Sequence, residues 1–290
     1  MTKKILFFTA AFLLTILYFS PNSTASEAAS QDSQEALPYE NKPSIGETFE
    51  SEDLVYRIAF WWFSHAADGR IKVERDGDDY LITLYAETTG FIGWATRYRK
   101  DIYKAYVEEI NDGRRFRVKT FEKESKISDR VRRSIITMDY EKRIMKERSW
   151  GGGKEEKHKE EPIPEGILYD DYLSAFYNFR FGAYGPIEKG REYTIRTFPK
   201  KGVSTMYLRL VTDEEKTERL GESDTVDYLA DIRIDKEIFG SQTGEIEAFF
   251  TKELIPVSGV IKDMIFFGDV IGTLVEIGTK MDFKKSAGTF

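Results

Sequence analysis

The side chains of this sequence that could carry nucleophilic or acid–base chemistry are few and poorly placed for it. The chain has two histidines, His65 and His158, far apart, and no cysteine. A Ser-His-Asp triad would need one of these histidines, and the sequence holds no G-x-S-x-G motif to meet it. The sequence therefore predicts no nucleophilic enzyme, no metal site and no cofactor.

Two pairs of carboxylates suggest the acid–base chemistry of glycoside hydrolysis, but their spacing argues against it. Asp78-Asp79 lies beside a turn, where neighbouring strand residues point to opposite faces. Asp170-Asp171 precedes an apolar run and is better explained as a helix cap. The glycine-containing segment "TTGFIGW", residues 88–94, lacks the Lys-Ser/Thr of a phosphate-binding loop. We expect a protein that is not an enzyme.

The segment "DYLSAFYNFRFG", residues 171–182, predicts a helix within a chain that otherwise alternates polar and apolar residues. Asp170 or Asp171 can cap its start, and Gly182 suits a left-handed end. Two adjacent faces of the helix are apolar apart from one arginine: Leu168, Tyr172, Phe176 and Phe179 form one face, and Leu173, Tyr177 and Arg180 form the other. A helix apolar over more than half of its circumference must be enclosed. We expect it inside a strongly curved sheet, or as its lid.

Arg180 has two interpretations, because an unpaired buried charge is very costly. In one it forms a structural salt bridge at the rim of the sheet. In the other it binds the anionic group of a ligand. The candidate ligand-binding residues are Trp61, Tyr172, Phe176, Tyr177, Phe179 and Arg180.

Trp61 belongs to the run Phe60-Trp61-Trp62-Phe63, which would place aromatic rings on both faces of one strand. A strand apolar on both faces is covered on both sides. On one face the strand would pack against the core. On the other face it would pack against the helix, against further core residues or against a bound apolar molecule, and these alternatives remain open.

The first 25 residues have the layout of a secretory signal peptide. Lys3 and Lys4 precede an apolar run of about 15 residues, shorter than the roughly 18–20 needed to span a bilayer. Small residues follow Pro21, and cleavage is expected near Ala25. A retained membrane anchor is the alternative. We expect an exported, periplasmic protein with no transmembrane segment in the mature chain.

The net charge and the composition of the chain limit the classes of partner that it can bind. Cleavage would remove two lysines and no acids, which takes the formal net charge from −7 to −9. Such an acidic protein is a poor nucleic-acid binder, because neutralising phosphates requires a basic surface. Arg130, Arg132 and Arg133 fit the solvated face of a strand. Residues 26–45 are rich in Ser, Ala, Gln and Glu and predict a disordered leader.

Residues 46–290 read as one β-rich domain of about a dozen antiparallel strands. Hairpin turns are expected at Asp76-Gly77, around 111–113, near 139–142 and at Gly268-Asp269. Residues 150–166, with three glycines, a charge run and two prolines, predict a flexible surface loop. A domain boundary there is the alternative. The fold class is a single curved sheet or half-open β-barrel with one aromatic helix.

The sequence resembles a family of exported bacterial proteins named domain of unknown function 3108. The resemblance rests on "GETFESEDLVYRIAFWWF", on "DDYLSAFYNFR", similar to a D-x-L-S-A-x-Y-x-x-R helix, and on "ELIPVSGVIKDMIFFGDVIGTLVE". It covers residues 46–277. The family's usual tryptophan before Ile255-Pro256 is replaced here by "EAFFTKE". The resemblance implies an exported β-rich fold and assigns no catalytic residue.

Two functions from different classes remain open. One is a binding protein that shelters a lipid-like amphiphile in a cavity of the curved sheet, beneath the helix. The other is a structural or assembly partner that docks onto a larger complex of the cell envelope. The first requires a cavity, and the second requires an exposed apolar patch or an unpaired strand edge.

Overall fold

The computed structural model describes residues 42–200, 203–222, 226–236, 238, 240–265 and 267–278. The predicted signal peptide, and the predicted leader as far as residue 41, lie outside these described residues. Fourteen strands form one antiparallel sheet. In chain order they are β1 Asp53–Phe60, β2 Phe63–Asp76, β3 Asp79–Thr88, β4 Lys100–Ile110, β5 Arg115–Ile127, β6 Arg130–Asp139, β7 Ile144–Gly151, β8 Lys154–Pro162, β9 Glu192–Lys200, β10 Val203–Leu210, β11 Tyr228–Arg233, β12 Glu245–Phe250, β13 Pro256–Met264 and β14 Gly268–Gly278.

The sheet consists of two meanders joined by a single pairing. Strands β1 to β8 follow one another in space, as do β9 to β14, and β1 pairs with β14 from Asp53 opposite Gly278 to Phe60 opposite Val270. Among the described strands, the two edges are therefore β8 and β9, from the middle of the chain, and they are not paired with each other. The expected open, curved antiparallel sheet is confirmed.

Most of the expected turns lie where the sequence places them. Short turns separate β2 from β3, β4 from β5 and β6 from β7. The predicted turn at Gly268-Asp269 is wrong, because both residues already belong to β14. Met264 pairs with Gly268, so the chain reverses before that glycine.

The segment 150–166 differs most from the expectation of a flexible loop. Its residues complete β7 and form β8, which pair from Ile144 opposite Pro162 to Gly151 opposite Lys154. Opposite charges support this hairpin, with Lys157 Nζ 2.5 Å from Glu147 Oε2. Only the turn around 152–153 and the residues after 162 lie outside the strands.

Four helices accompany the sheet: α1 Ile45–Phe49, α2 Gly90–Ala95, α3 Tyr172–Phe181 and α4 Asp213–Leu220. Helix α1 begins within the predicted leader 26–45, because Ser44 caps it and Ile45 is fully buried. Helix α3 is the predicted aromatic helix, capped by Asp171 and ended by Gly182 with φ of 79°. None of the helices in the described part of the chain is long and apolar enough to cross a membrane.

Helix α3 lies between the two meanders, and the core forms around it. Leu173 and Tyr177 pack into a cluster built by β2 to β5, which includes Val73, Ile82 and Val107. On its other side, Phe179 packs with Tyr193, Leu208, Leu210 and Phe250 from the second meander. The prediction of an aromatic helix packed inside the curved sheet is confirmed.

Replacing Gly46 by alanine is expected to lower the free energy of unfolding by about 1–3 kcal/mol. A Cβ atom on Gly46 would lie 2.1 Å from Cζ of the buried Tyr80 ring. Urea denaturation should show this loss. The matched control is Gly272→Ala in β14, where the nearest atom to the new Cβ is 4.0 Å away. An equal effect of both substitutions would contradict the steric explanation.

Candidate functional site

The start of α3 is set by Asp171, whose side chain is fully buried. Its Oδ1 accepts hydrogen bonds from the backbone amides of Leu173 at 2.7 Å and Ser174 at 3.2 Å. Its Oδ2 is buried and has no hydrogen-bond partner in the described part of the chain. Burial raises the pKa of Asp171 to about 6, although the cap hydrogen bonds oppose that rise.

Arg180 near the end of α3 is held by an internal carboxylate. Its Nη1 and Nη2 donate to Oε2 and Oε1 of Glu52, each at 2.7 Å, and its Nε donates to the Leu254 carbonyl at 2.8 Å. Tyr177 also donates to Glu52, at 2.8 Å, and the guanidinium lies over the Phe49 ring. Burial by itself lowers the pKa of Arg180, but the bonds to Glu52 outweigh it and the pKa is raised. Of the two interpretations of Arg180, these contacts fit the structural salt bridge, here with Glu52.

A second buried polar group fixes α3 to the first meander. Asp170 accepts hydrogen bonds from Arg115 Nη2 at 2.6 Å, from Asn178 Nδ2 at 3.0 Å and from the Tyr184 hydroxyl at 3.0 Å. Asn178 also bonds both backbone groups of Phe116 in β5. Burial raises the pKa of Asp170, against the opposing effect of Arg115. The polar groups of α3 therefore hold the helix in place.

The six candidate ligand-binding residues divide into two groups. Tyr172, Phe176, Tyr177, Phe179 and Arg180 lie together on α3, where they pack against the sheet or against each other. Trp61 is not part of a strand covered on both sides, because β1 ends at Phe60 and Trp61 lies in the turn before β2 with φ of 50°. That turn exposes its ring to solvent.

Two grooves on the surface of the described residues have no α3 residue in their lining. A groove of about 360 Å³ lies on β10 to β13, and its lining includes Arg219, Asp231, Glu247 and Lys262. These charges pair within the protein, with Arg219 Nη1 2.7 Å from Asp231 and Lys262 Nζ 2.9 Å from Glu247. A second groove, beside Ser241, also has no α3 residue in its lining.

The most unusual surface is a set of exposed aromatic rings at one end of the sheet, which we call the aromatic end. Its members, each between 56% and 79% exposed, are Trp61, Trp62, Phe91, Trp94 and Tyr98. Trp61 stacks on Trp62 with ring centroids 5.4 Å apart, and Phe91 lies 5.8 Å from Trp94. Phe63 connects these two pairs, at 5.7 Å from Trp62 and 6.1 Å from Phe91.

A small buried cluster positions the aromatic end. Phe60, Ala66 and Ile92 pack beneath it, and Ile92 anchors α2 so that Phe91 and Trp94 face outward. Gly93 allows the close return of the chain, because a Cβ there would lie 2.8 Å from the Thr88 carbonyl oxygen and 2.9 Å from the Tyr98 ring. The exposed rings therefore stand on a fixed support.

Four cations border this surface, and we call them the basic flank: Arg97, Lys126, Arg130 and Arg132. The turn between β5 and β6 contacts the loop after α2 through a hydrogen bond from Ser128 N to the Arg97 carbonyl at 3.1 Å. All four side chains belong to exposed residues, and none has an ion-pair partner among the described residues. Lys126 also lies directly opposite Lys100 in the β4–β5 register.

Sequence reasoning missed most of the aromatic end. It selected Trp61 but interpreted it as part of a covered strand, and it did not select Trp62, Phe91, Trp94 or Tyr98. The signal available was the segment 88–100, where two aromatic residues three positions apart in a glycine-containing stretch precede Arg97 and Arg99. Glu52, the partner of Arg180, was also missed.

The fold and its contents define a protein of one open antiparallel sheet that encloses an aromatic helix. The family model described as "Protein of unknown function (DUF3108)" matches residues 55–274, and the chain therefore belongs to this family. No curated protein matches the chain. A similar solved structure is the crystal structure of a β-barrel-like protein of domain of unknown function DUF1849 from Brucella abortus. It has 13% sequence identity and a TM-score of 0.41, and the match covers 79% of this chain and 97% of that chain.

Proposed function

We propose that the protein is a non-catalytic docking protein of the cell envelope, exported to the periplasm, which binds a larger envelope assembly through the aromatic end. The single observation that carries this proposal is the exposure of five neighbouring aromatic rings on a fixed support. Clustered exposed aromatic residues are rare on proteins that act alone and are typical of interaction surfaces. Export rests on the predicted signal peptide.

The geometry favours docking over the sheltering of an amphiphile beneath α3. The helix is packed on both sides by core residues, and Arg180 is neutralised by Glu52. The aromatic rings that remain available for a partner are at the end of the sheet. Within the described residues, no group of three His, Asp or Glu side chains is placed to hold a metal ion.

The proposal predicts that the purified protein sediments with envelope membranes of the bacterium, and that the triple variant Trp62→Ala/Phe91→Ala/Trp94→Ala remains in the supernatant. These side chains are exposed, so their truncation should leave the fold intact, which thermal melting checks. Sedimentation measured over a range of membrane concentrations gives the affinity.

The matched control is Val275→Ala/Ile277→Ala, which removes two exposed apolar side chains at the opposite end of β14. This double variant should sediment like the wild type. If the triple variant bound as well as the wild type, the aromatic end would not be the docking surface and the proposal would be wrong.

A further inference from the structure

We infer that the partner of the aromatic end is the surface of a lipid bilayer that contains anionic phospholipid. This inference rests on the proposed function and names the assembly to which the protein docks. It combines the aromatic end with the basic flank, which the docking proposal by itself does not use.

The aromatic end and the basic flank lie at the same end of the sheet. The turn between β1 and β2, helix α2 with the loop after it, and the turn between β5 and β6 all lie at the same end of the antiparallel sheet. The hydrogen bond from Ser128 N to the Arg97 carbonyl joins the last two. Rings and cations are therefore presented together.

The basic flank lies in a local excess of positive charge. Residues 89–99 and 126–133 contain six cations and one acid, Asp129, although the whole chain has a formal net charge of −7. Arg99 and Arg133 pair with Asp101 and Glu122, whereas the four cations of the basic flank form no ion pair within the described part of the chain. An isolated positive surface on an acidic protein selects a negative partner.

Lys126 meets a like charge on the neighbouring strand. Lys126 faces Lys100 across β4 and β5, an arrangement of like charges that destabilises a sheet. The Lys100 ammonium lies 4.7 Å from the centroid of the Tyr85 ring, whereas Lys126 forms no ion pair within the described residues. An external layer of negative charge would relieve this repulsion.

The residue types of the aromatic end and the basic flank suit the surface of a lipid bilayer. Tryptophan and tyrosine prefer the interface between lipid and water, where an apolar ring and a polar N–H or O–H are both satisfied. Each lysine or arginine near an anionic lipid surface strengthens binding by roughly fivefold. Three tryptophans and a tyrosine beside the four cations of the basic flank fit a phospholipid surface, with the rings among the headgroups and the cations against the phosphates.

The test is flotation with protein-free vesicles, either of phosphatidylcholine alone or with about a third phosphatidylglycerol. We expect the wild type to bind the anionic vesicles at least about tenfold more tightly, and to lose this preference when the salt rises from about 0.05 M to about 0.5 M. Because three of the four tryptophans lie on the aromatic end, binding should also shift the tryptophan emission to the blue.

Two variants separate the contributions of rings and charges. The quadruple variant Arg97→Gln/Lys126→Gln/Arg130→Gln/Arg132→Gln should bind both vesicles equally weakly, and Trp62→Ala/Phe91→Ala/Trp94→Ala should bind neither. The control Arg196→Gln/Arg233→Gln, on strands of the second meander, should bind like the wild type.

Equal binding of the wild type to both vesicles, or unchanged binding of the quadruple variant, would overturn the inference. Sedimentation with native envelope membranes but with neither vesicle would show that the aromatic end docks on a protein. That result would overturn the inference and leave the proposed function standing. If the aromatic triple variant also kept its binding to envelope membranes, the proposed function would be wrong as well.

Discussion

Replacing Arg180 by methionine is expected to lower the free energy of unfolding by about 3–5 kcal/mol, because it leaves the carboxylate of Glu52 without its cation. The side chains of this pair are 3% and 16% exposed, so water can compensate for little of the loss. Methionine keeps most of the length and apolar character of the side chain. Urea denaturation of the wild type and the variant measures the difference.

The matched control is Arg133→Met, which breaks the exposed pair of Arg133 with Glu122 and should cost less than about 1 kcal/mol. In the double variant Arg180→Met/Glu52→Gln, part of the lost stability should return, because the unpaired charge is gone. A loss below about 1 kcal/mol for Arg180→Met would contradict the structural role of the pair.

Replacing Asp171 by asparagine is expected to change how stability depends on pH. Because burial raises the folded-state pKa of Asp171 from 3.8 to about 6, the folded state binds the proton more tightly than the unfolded state. This group therefore makes the wild type more stable as the pH falls from about 6 to about 4, by roughly 2 kcal/mol. Asparagine keeps the cap and cannot titrate.

The measurement is the difference in unfolding free energy between wild type and Asp171→Asn, by urea denaturation at several pH values between about 4 and 7. The difference should move in favour of the wild type as the pH falls. The control is Asp139→Asn, because hydrogen bonds from Lys142 lower the pKa of Asp139 and its difference should move the opposite way. A difference independent of pH for Asp171→Asn would show that its pKa is not raised.

The sequence predicts helix α3 well because the information is local. Asp171 at its start, Gly182 at its end and the apolar faces between them lie within a dozen residues, and all three signals agree. The partner of Arg180 is different, because Glu52 is 128 positions away. From a single sequence one can infer that a buried arginine needs a partner. The sequence does not show which acidic residue the fold places beside that arginine.

At residues 150–166 and at Trp61, the amino-acid composition and the polar–apolar alternation of the sequence predict the wrong local structure. Glycines and charges in the first segment suggest a loop, but β7 offers opposite charges at the matching register, such as Glu147 for Lys157. Tertiary pairing thus overrides a weak strand preference. The aromatic run ending in Phe63 suggests a continuous strand, whereas the left-handed backbone at Trp61 turns the chain. The alternation of polar and apolar residues does not reveal the position of a turn that contains no Gly, Asn or Asp.

The seam between β1 and β14 has a consequence for the order of folding. Every other pairing in the sheet joins strands adjacent in sequence, so each meander can form from short hairpins. The seam instead joins the first and the last of the described strands, and closing it requires a very large loop. During synthesis, β1 therefore presents one unpaired backbone edge from its own appearance until β14 is made. That edge is the place where an incomplete chain is most exposed to pairing with the wrong strand.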